Sequence, residues 1–313
     1  MRKVVLTVTL NPALDRTVIV DDFNLGKEHC LGKEYLSAGG KGLNVARALK
    51  IFGVPVLATG ILGGNEGKTI EQLLKDENIP SDFYHILNST RTNLTVISQK
   101  SRQQTRILSP GPRVSSKDLA SFTKKYSKLL SKSSLVVLSG RNANGALDTY
   151  YADLIRLARR KDVPCVLDTS GKSLMNGIKA RPVMVKPNVE ETEAILHQKL
   201  KTNAQIQSAI SKLHRLGAEI VFISTGKTGA IGSNQKEIFR VVPPEVSAYN
   251  DVGCGDAFIA AAVYAYLSGE SFKNIVKFAV SAATASAMSI KPAEIDLREQ
   301  KSIFKKVRIS QVY

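Results

Sequence analysis

The chain has 313 residues, of which 43% are hydrophobic and 23% charged, an ordinary composition for a globular protein of one large domain or two average ones. Four scattered histidines and three distant cysteines (Cys30, Cys165 and Cys254) argue against a zinc site and a disulfide framework. The formal net charge is +17, but the lysines and arginines are interleaved with aspartates and glutamates along the whole chain. We therefore expect an anionic small substrate rather than a nucleic acid.

Short β-branched runs alternate with helical patterns along the chain. The predicted strands are 4–10, 54–62, 135–140, 163–170, 183–188 and 220–226, and the predicted helices are 44–53, 69–79, 117–134 and 147–160. Nearly continuous apolar strands between amphipathic helices indicate a parallel sheet that is covered on both faces. In two regions, 17–37 and 91–108, polar and apolar residues alternate without an intervening helical pattern. These regions are predicted to form hairpins that share one small separate sheet. The sequence thus predicts a single domain, 1–313, with a β appendage.

The N-terminal segment, MRKVVLTVTLNPALD, alternates like a strand and carries an early aspartate, which is not the pattern of a signal peptide. No apolar run approaches the roughly 20 residues that a membrane-spanning helix needs. We therefore expect a cytoplasmic protein that makes no membrane contact.

Polar residues occupy the carboxyl ends of several predicted strands, where parallel sheets bind ligands. They are Ser139-Gly140, Asp168-Thr169-Ser170, Lys186-Pro187-Asn188 and Ser224-Thr225-Gly226. A different segment, GGNEGKT (63–69), has the setting of a P-loop, but a P-loop requires glycine where this chain has Leu62. We interpret that segment as a turn.

The stretch NDVGCGDAFIAAAVYAYLSG (250–269) places two glycines and an aspartate ahead of an apolar helical run. Amides at a helix start bind anions, and Gly253 and Gly255 let a ligand approach the backbone. Asp256 then lies in the first helical turn, where it is suited to take a proton from a hydroxyl that attacks a phosphoryl group. The alternative is that Asp256 merely caps the helix.

Three further stretches carry candidate chemistry. They are TLNPALD (9–15), which ends a strand with Asp15, SAGGKGLNVARAL (37–49), a glycine-rich turn that contains Lys41, and KPNVEE (186–191). In the last of these, Asn188 and Glu191 stand three residues apart at a strand-to-helix junction, a spacing that suits binding of hydrated Mg²⁺. Each stretch also has a structural explanation, as a strand-ending cap, turn glycines or a solvated helix face.

Taken in order, these motifs resemble the PfkB-type (ribokinase-like) carbohydrate kinases, within them the branch of 1-phosphofructokinases and tagatose-6-phosphate kinases. The motifs are TxNPxxD (9–15), GGKGLNVA (39–46), GGNEG (63–67), TRTN (90–93), PGP (110–112), DTSG (168–171), KPNxxE (186–191), STGxxG (224–229) and VGCGD (252–256). The resemblance implies a three-layer α/β fold, with a mainly parallel central sheet, helices on both faces, and a small β-sheet lid that often mediates dimerisation. The two hairpin regions match this lid.

The resemblance also implies roles in phosphoryl transfer from ATP with Mg²⁺. Asp256 is the implied general base, and the amides of Gly253, Cys254 and Gly255 are implied to stabilise the transferred phosphoryl group. The implied ligands are Asn188 and Glu191 for Mg²⁺-ATP, Ser224, Thr225, Gly226 and Gly229 for the nucleotide, Asp15, Gly40 and Asn44 for the sugar hydroxyls, and Lys41 and Arg91 for the anionic end of a phosphosugar. The lid would exclude water from the reaction.

Two of the positions that depart from the family's pattern bear on binding of the substrate phosphate. An arginine that helps to bind the substrate phosphate commonly stands nine residues before the GG pair, but here that position is Cys30. Arg141 stands where the family has a small serine. We hypothesise that Arg141 partly compensates for the missing arginine; the alternative is that the subsite has drifted and the substrate has changed.

We therefore expect an ATP- and Mg²⁺-dependent kinase of a ketohexose phosphate, with fructose 1-phosphate the first candidate and tagatose 6-phosphate and fructose 6-phosphate next. The resemblance also implies a homodimer that forms through the lid. The alternatives are a kinase of an unphosphorylated sugar or nucleoside, and a sugar-phosphate-binding regulator without catalysis. Asp256, Asn188 and Glu191 argue against the regulator, because a pure binder needs neither a base nor a metal ligand.

Overall fold

The computed structural model describes residues 3–312, and this range forms fourteen strands and ten α-helices. The strands are β1 Val4–Thr9, β2 Ala13–Val20, β3 Lys33–Gly39, β4 Val56–Gly63, β5 Tyr84–Ile86, β6 Arg91–Ser98, β7 Gln104–Ile107, β8 Ser133–Ser139, β9 Cys165–Asp168, β10 Met184–Val185, β11 Ile220–Ser224, β12 Ala230–Ser233, β13 Ile238–Val242 and β14 Arg308–Gln311. The helices are α1 Lys41–Ile51, α2 Gly64–Asp76, α3 Ser116–Leu130, α4 Tyr150–Arg159, α5 Gly171–Lys179, α6 Val189–Leu196, α7 Asn203–Leu216, α8 Cys254–Leu267, α9 Phe272–Ala287 and α10 Leu297–Lys306. Across residues 3–312, no helix is both long and apolar enough to cross a bilayer.

The main sheet follows the strand order β14-β13-β12-β11-β10-β9-β8-β1-β4-β5. Pairing is parallel from β11 to β5 and antiparallel from β11 to β14. One apolar cluster joins the sheet to α1, α2, α8, α9 and α10, and a second joins its other face to α3 through α7. The predicted three-layer α/β fold with a mainly parallel sheet is therefore confirmed.

The small sheet follows the order β3-β2-β6-β7. Its two antiparallel hairpins, β2–β3 and β6–β7, are joined by parallel pairing of β2 with β6. The structure thus contains the separate small sheet that the two hairpin regions predict.

The first strand ends earlier than predicted, and this changes the setting of Asp15. Strand β1 ends at Thr9, and Asp15 lies inside β2, where it pairs with Ser37 and Asn93 of the small sheet. The prediction that Asp15 ends the first strand is wrong. Pro12, which has no amide hydrogen for a strand ladder, lies between the two strands and helps to separate them.

Helix α2 corrects a second prediction, because it begins at Gly64 rather than at residue 69. Most of the segment 63–69 is therefore the first turns of a helix and not a separate turn. Gly64 has a φ of 66°, and a Cβ atom there would collide with Ser89, so a close tertiary approach requires glycine at the helix start. Hydrophobic periodicity does not reveal such an approach.

Candidate active site

Asp256 is a buried carboxylate in the first turn of α8, with only 4% of its surface exposed. Asn44 Nδ2 of α1 donates a hydrogen bond of 2.8 Å to its Oδ2. Burial and the nearby charge of Asp168 raise the pKa of Asp256 to about 7, although Lys41, Asn44 and Lys186 act in the opposite direction. A carboxyl group with this pKa can take up a proton near neutral pH, as general base catalysis requires.

The start of α8 leaves its backbone amides open to a ligand. The N-cap of the helix is Gly253, with a φ of 86°, so Asp256 is not the capping residue. Within residues 3–312, no hydrogen bond is donated by the amides of Gly253, Cys254 or Gly255. A Cβ atom on Gly255 would lie 3.3 Å from Lys186 Nζ, in space that glycine leaves empty. Free amides beside an ammonium group fit an anion such as a phosphoryl group.

A buried ion-pair network surrounds Asp256, and its central residue, Asp168, is absent from the predicted site. Asp168 ends β9 and is 1% exposed; its Oδ2 accepts a hydrogen bond of 3.2 Å from Lys41 Nζ, and its Oδ1 lies 3.3 Å from Lys186 Nζ. Burial acts to raise the pKa of Asp168, but the charges and hydrogen bonds of Lys186 and Lys41 outweigh it and hold that pKa below its usual value. The Asp168 carboxylate is therefore ionised between two cations.

The two lysines of this network differ in their exposure. Lys186 is 5% exposed, whereas the Lys41 side chain is 44% exposed at the start of α1. Asp168 is the main cause of the raised pKa of Lys41. The sequence analysis places Asp168 and Lys186 at the carboxyl ends of predicted strands but gives neither a role. Their position at the ligand-binding edge of a parallel sheet is the signal that marks them as candidate site residues.

Asp15 lies close to the start of α1, which contains Asn44, because the β2–β3 hairpin leads through Gly40 directly into that helix. The Asp15 carboxylate accepts a hydrogen bond of 2.7 Å from Asn93 Nδ2, and burial raises its pKa. A Cβ atom on Gly39 would overlap this carboxylate, and Gly40 has a φ of 133°. The glycine pair thus lets the chain pass closely by Asp15 before it enters α1.

Arg91 is largely occupied by the backbone around it. Its guanidinium donates to the main-chain oxygens of Asn11 at 3.0 Å, Pro12 at 3.3 Å and Ser109 at 2.9 Å. Burial lowers the pKa of Arg91, and the charge of Arg141 adds to this effect, so the two side chains lie within electrostatic reach of each other. Of five N–H groups, Arg91 keeps two for a ligand, and the exposed Arg141 is available beside it.

Ser224, Thr225, Gly226 and Gly229 form a tight connection between β11 and β12. Thr225 N donates to Gly229 O at 2.9 Å, and Gly229 N donates to Gly226 O at 3.0 Å. Ser224 N donates to Pro187 O at 3.1 Å, which brings the connection beside Asn188. The structure therefore brings the predicted nucleotide residues and the KPN segment together.

Asn188 and Glu191 form the capping box of α6. Asn188 Oδ1 accepts from Glu191 N at 2.7 Å, and Glu191 Oε2 accepts from Asn188 N at 3.0 Å. Glu191 Oε1 accepts no hydrogen bond from any residue in 3–312. Over that range, no group of three or more His, Cys, Asp or Glu side chains could hold a metal ion. One free carboxylate oxygen beside an amide oxygen fits Mg²⁺, which keeps several waters and binds through one or two carboxylates and substrate phosphates.

Comparisons with known proteins agree with this geometry. The pfkB family of carbohydrate kinases matches residues 12–296. A tagatose-6-phosphate kinase of Staphylococcus epidermidis is 31% identical over 98% of this chain and all of its own length. The tetrameric inhibited form of Escherichia coli phosphofructokinase-2 has a TM-score of 0.90 at 27% identity, covering 97% of this chain and 99% of that one. A possible 1-phosphofructokinase of Thermotoga maritima has a TM-score of 0.89 at 30% identity, covering 99% and 100%. The chain thus belongs to the pfkB family of carbohydrate kinases, as its motifs indicate, and is a sugar-phosphate kinase.

Proposed function

We propose that the protein transfers the γ-phosphoryl group of ATP to a hydroxyl of a phosphorylated ketohexose, with fructose 1-phosphate the first candidate and tagatose 6-phosphate and fructose 6-phosphate next. The observation that carries this proposal is the buried Asp256 carboxylate, whose pKa is raised to about 7 beside free helix amides and Lys186. A buried carboxyl group with a raised pKa beside amides that can bind an anion is typical of a catalytic site.

In this proposal Asp256 accepts the proton of the attacking hydroxyl while Asn44 holds the carboxylate in place. The amides of Gly253, Cys254 and Gly255, together with Lys186, stabilise negative charge on the transferred group. The oxygens of Asn188 and Glu191 are the proposed donors to Mg²⁺, which when bound neutralises charge on the nucleotide phosphates. The connection that contains Ser224, Thr225, Gly226 and Gly229 is the proposed nucleotide contact.

We propose further that the small sheet acts as a lid and as the interface of a homodimer in the cytoplasm, where ATP and sugar phosphates occur. Five large apolar residues on or beside β3 and β7 support this proposal because they are exposed on the small sheet: Leu31, Tyr35, Leu36, Ile107 and Leu108. A partner that covers them would also help the lid to exclude water. The single domain that we propose comprises residues 1–313 with this lid.

A screen of ketohexoses, their phosphates and nucleosides for ADP formation with Mg²⁺-ATP tests the function. We expect ADP from at least one ketohexose phosphate at a rate at least about 10-fold above that of the unphosphorylated sugar. Cationic side chains would bind the phosphate group that this acceptor already carries. Faster reaction of an unphosphorylated sugar or nucleoside would favour that alternative. Binding of a ketohexose phosphate with no ADP above the acceptor-free rate would favour the regulator and contradict the proposal.

Replacing Arg141 with serine tests how the substrate phosphate is bound. If Arg141 compensates for the arginine that Cys30 replaces, Arg141→Ser should raise KM for the phosphosugar by between about 10- and 150-fold and leave kcat nearly unchanged, because a charge-assisted contact contributes about 1.5–3 kcal/mol. Steady-state kinetics with the best acceptor of the screen measure this effect. Arg160→Ser, which removes another exposed arginine at the end of α4, is the matched control. An unchanged KM for every phosphosugar tested would show that Arg141 does not compensate.

A further inference from the structure

We propose that Arg47 is a positioning residue: it orients the side-chain amide of Asn44 so that the NH2 group, and not the oxygen, faces the carboxylate of Asp256. This inference rests on the proposed function, in which Asp256 is the base. Arg47 itself lies on α1, one turn beyond Asn44. Its charge also acts on Asp15, but its contact with Asp256 runs through Asn44.

The hydrogen bonds around Asn44 leave one orientation of its amide. Arg47 Nη1 lies 3.0 Å from Asn44 Oδ1, and Asn44 Nδ2 lies 2.8 Å from Asp256 Oδ2. An arginine can only donate hydrogen bonds, so the atom that it contacts must be the amide oxygen. The NH2 group is then directed to Asp256. Asn44 is only 9% exposed, so water has little access to replace either partner.

Arg47 is itself held from several sides. Its Nε and Nη2 donate to the two carboxylate oxygens of Glu77 at 2.5 and 2.9 Å, and Nη2 also donates to Ala38 O at 2.7 Å. A bidentate pair of this kind fixes the plane of the guanidinium group. The chain of contacts therefore runs from Glu77 at the end of α2 through Arg47 and Asn44 to Asp256.

Loss of Arg47 would free the amide of Asn44 to turn over. Its oxygen could then face Asp256, and two acceptors at hydrogen-bond distance repel each other unless the carboxyl group is protonated. The population of protonated Asp256, which cannot act as a base, would therefore increase at neutral pH. The other charged groups that face Asp256 are Asp168 at the end of β9, Lys41 at the start of α1 and Lys186 after β10, and none of them bonds to Arg47.

The decisive experiment is the pH profile of kcat/KM for wild type, Arg47→Met and Arg47→Lys. We expect the acid limb of Arg47→Met to lie about one pH unit higher than that of wild type. At pH values below the limb, kcat/KM of the variant should then be about 10-fold lower than that of wild type. Near pH 9 the two values should agree to within about 3-fold. Arg47→Lys keeps a donor for Asn44 Oδ1 and should lie close to wild type. An acid limb that stays in place, with a loss of activity equal at all pH values, would show a merely structural role.

A second measurement does not depend on activity. The difference in unfolding free energy between a protein and its Asp256→Asn variant, followed over pH, reports the pKa of Asp256. We expect this difference to reflect a higher pKa in the Arg47→Met background than in the wild-type background. Equal pH dependence in the two backgrounds would overturn the positioning role, whether or not any acceptor is phosphorylated. A shift in the pKa of Asp256 without ADP formation would count only against the proposed kinase reaction.

Discussion

Asparagine in place of Asp256 is expected to lower kcat about 1000-fold, within the usual contribution of a general base, and to make the folded protein more stable near pH 8. Both effects follow from removal of the same buried carboxylate. The carboxylate is 4% exposed and lies close to the charge of Asp168, which raises its pKa to about 7. Asparagine keeps the hydrogen bond from Asn44 but removes both the charge and the proton acceptor.

The sign of the stability change follows from linkage. Because the folded-state pKa of Asp256 is raised from 3.8 to about 7, its favourable contribution to folding is fully present below the unfolded pKa and is lost as the pH rises through the folded pKa. Above pH 7 the ionised carboxylate costs on the order of 4 kcal/mol in unfolding free energy. Denaturant unfolding should therefore show the gain in Asp256→Asn near pH 8 and roughly half of it near pH 5.5.

A matched control separates these effects from general consequences of losing a carboxylate. Asp162→Asn makes the same chemical change at an exposed position before the N-terminal end of β9, and asparagine tolerates its φ of 55°. It should leave both kcat and the unfolding free energy nearly unchanged. Equal kcat in wild type and Asp256→Asn would refute the catalytic assignment, and a loss of stability in Asp256→Asn near pH 8 would refute the cost of a buried charge.

The sequence predicted those parts of the site in which one segment contains both the turn and the chemistry. The glycines before α8 and α1 mark helix starts that anions can approach, and Asp256, Lys41 and Asn44 follow them directly. The capping box was also within reach, because an asparagine with glutamate three residues later is its local signature. In these cases neighbours in the sequence are also neighbours in the structure.

Features that depend on distant segments could not be predicted in the same way. Asp168 ends β9 and Lys186 directly follows the neighbouring parallel strand β10, but only the sheet register shows that they pair. Glycine is required at residue 64, the start of α2, because Ser89 from another part of the chain approaches it closely. The network from Glu77 through Arg47 joins two helices. Sequence periodicity shows which residues are buried, but it does not show which buried polar groups contact each other.

Replacing Asp168 with asparagine should destabilise the protein by about 3 kcal/mol near pH 7, because the buried amino group of Lys186 would lose its counter-ion. Lys41 depends on this pair less, since 44% of its side chain is exposed to solvent. The folded pKa of Asp168 is lowered, so its stabilising contribution is present above its unfolded pKa of 3.8 and is lost as the pH falls through the folded pKa. The loss of stability in Asp168→Asn should therefore be largest at neutral pH.

Two further measurements test whether the buried charge is the cause. The double variant Asp168→Asn/Lys186→Met removes the unpaired ammonium group and should recover most of the stability, as measured by denaturant unfolding. Activity should not recover with it, because Lys186 lies beside the free amides of α8. In Asp168→Asn alone, any remaining activity should show an acid limb at lower pH, since the charge of Asp168 raises the pKa of Asp256. A double variant no more stable than Asp168→Asn would mean that the unpaired charge of Lys186 is not what destabilises the fold.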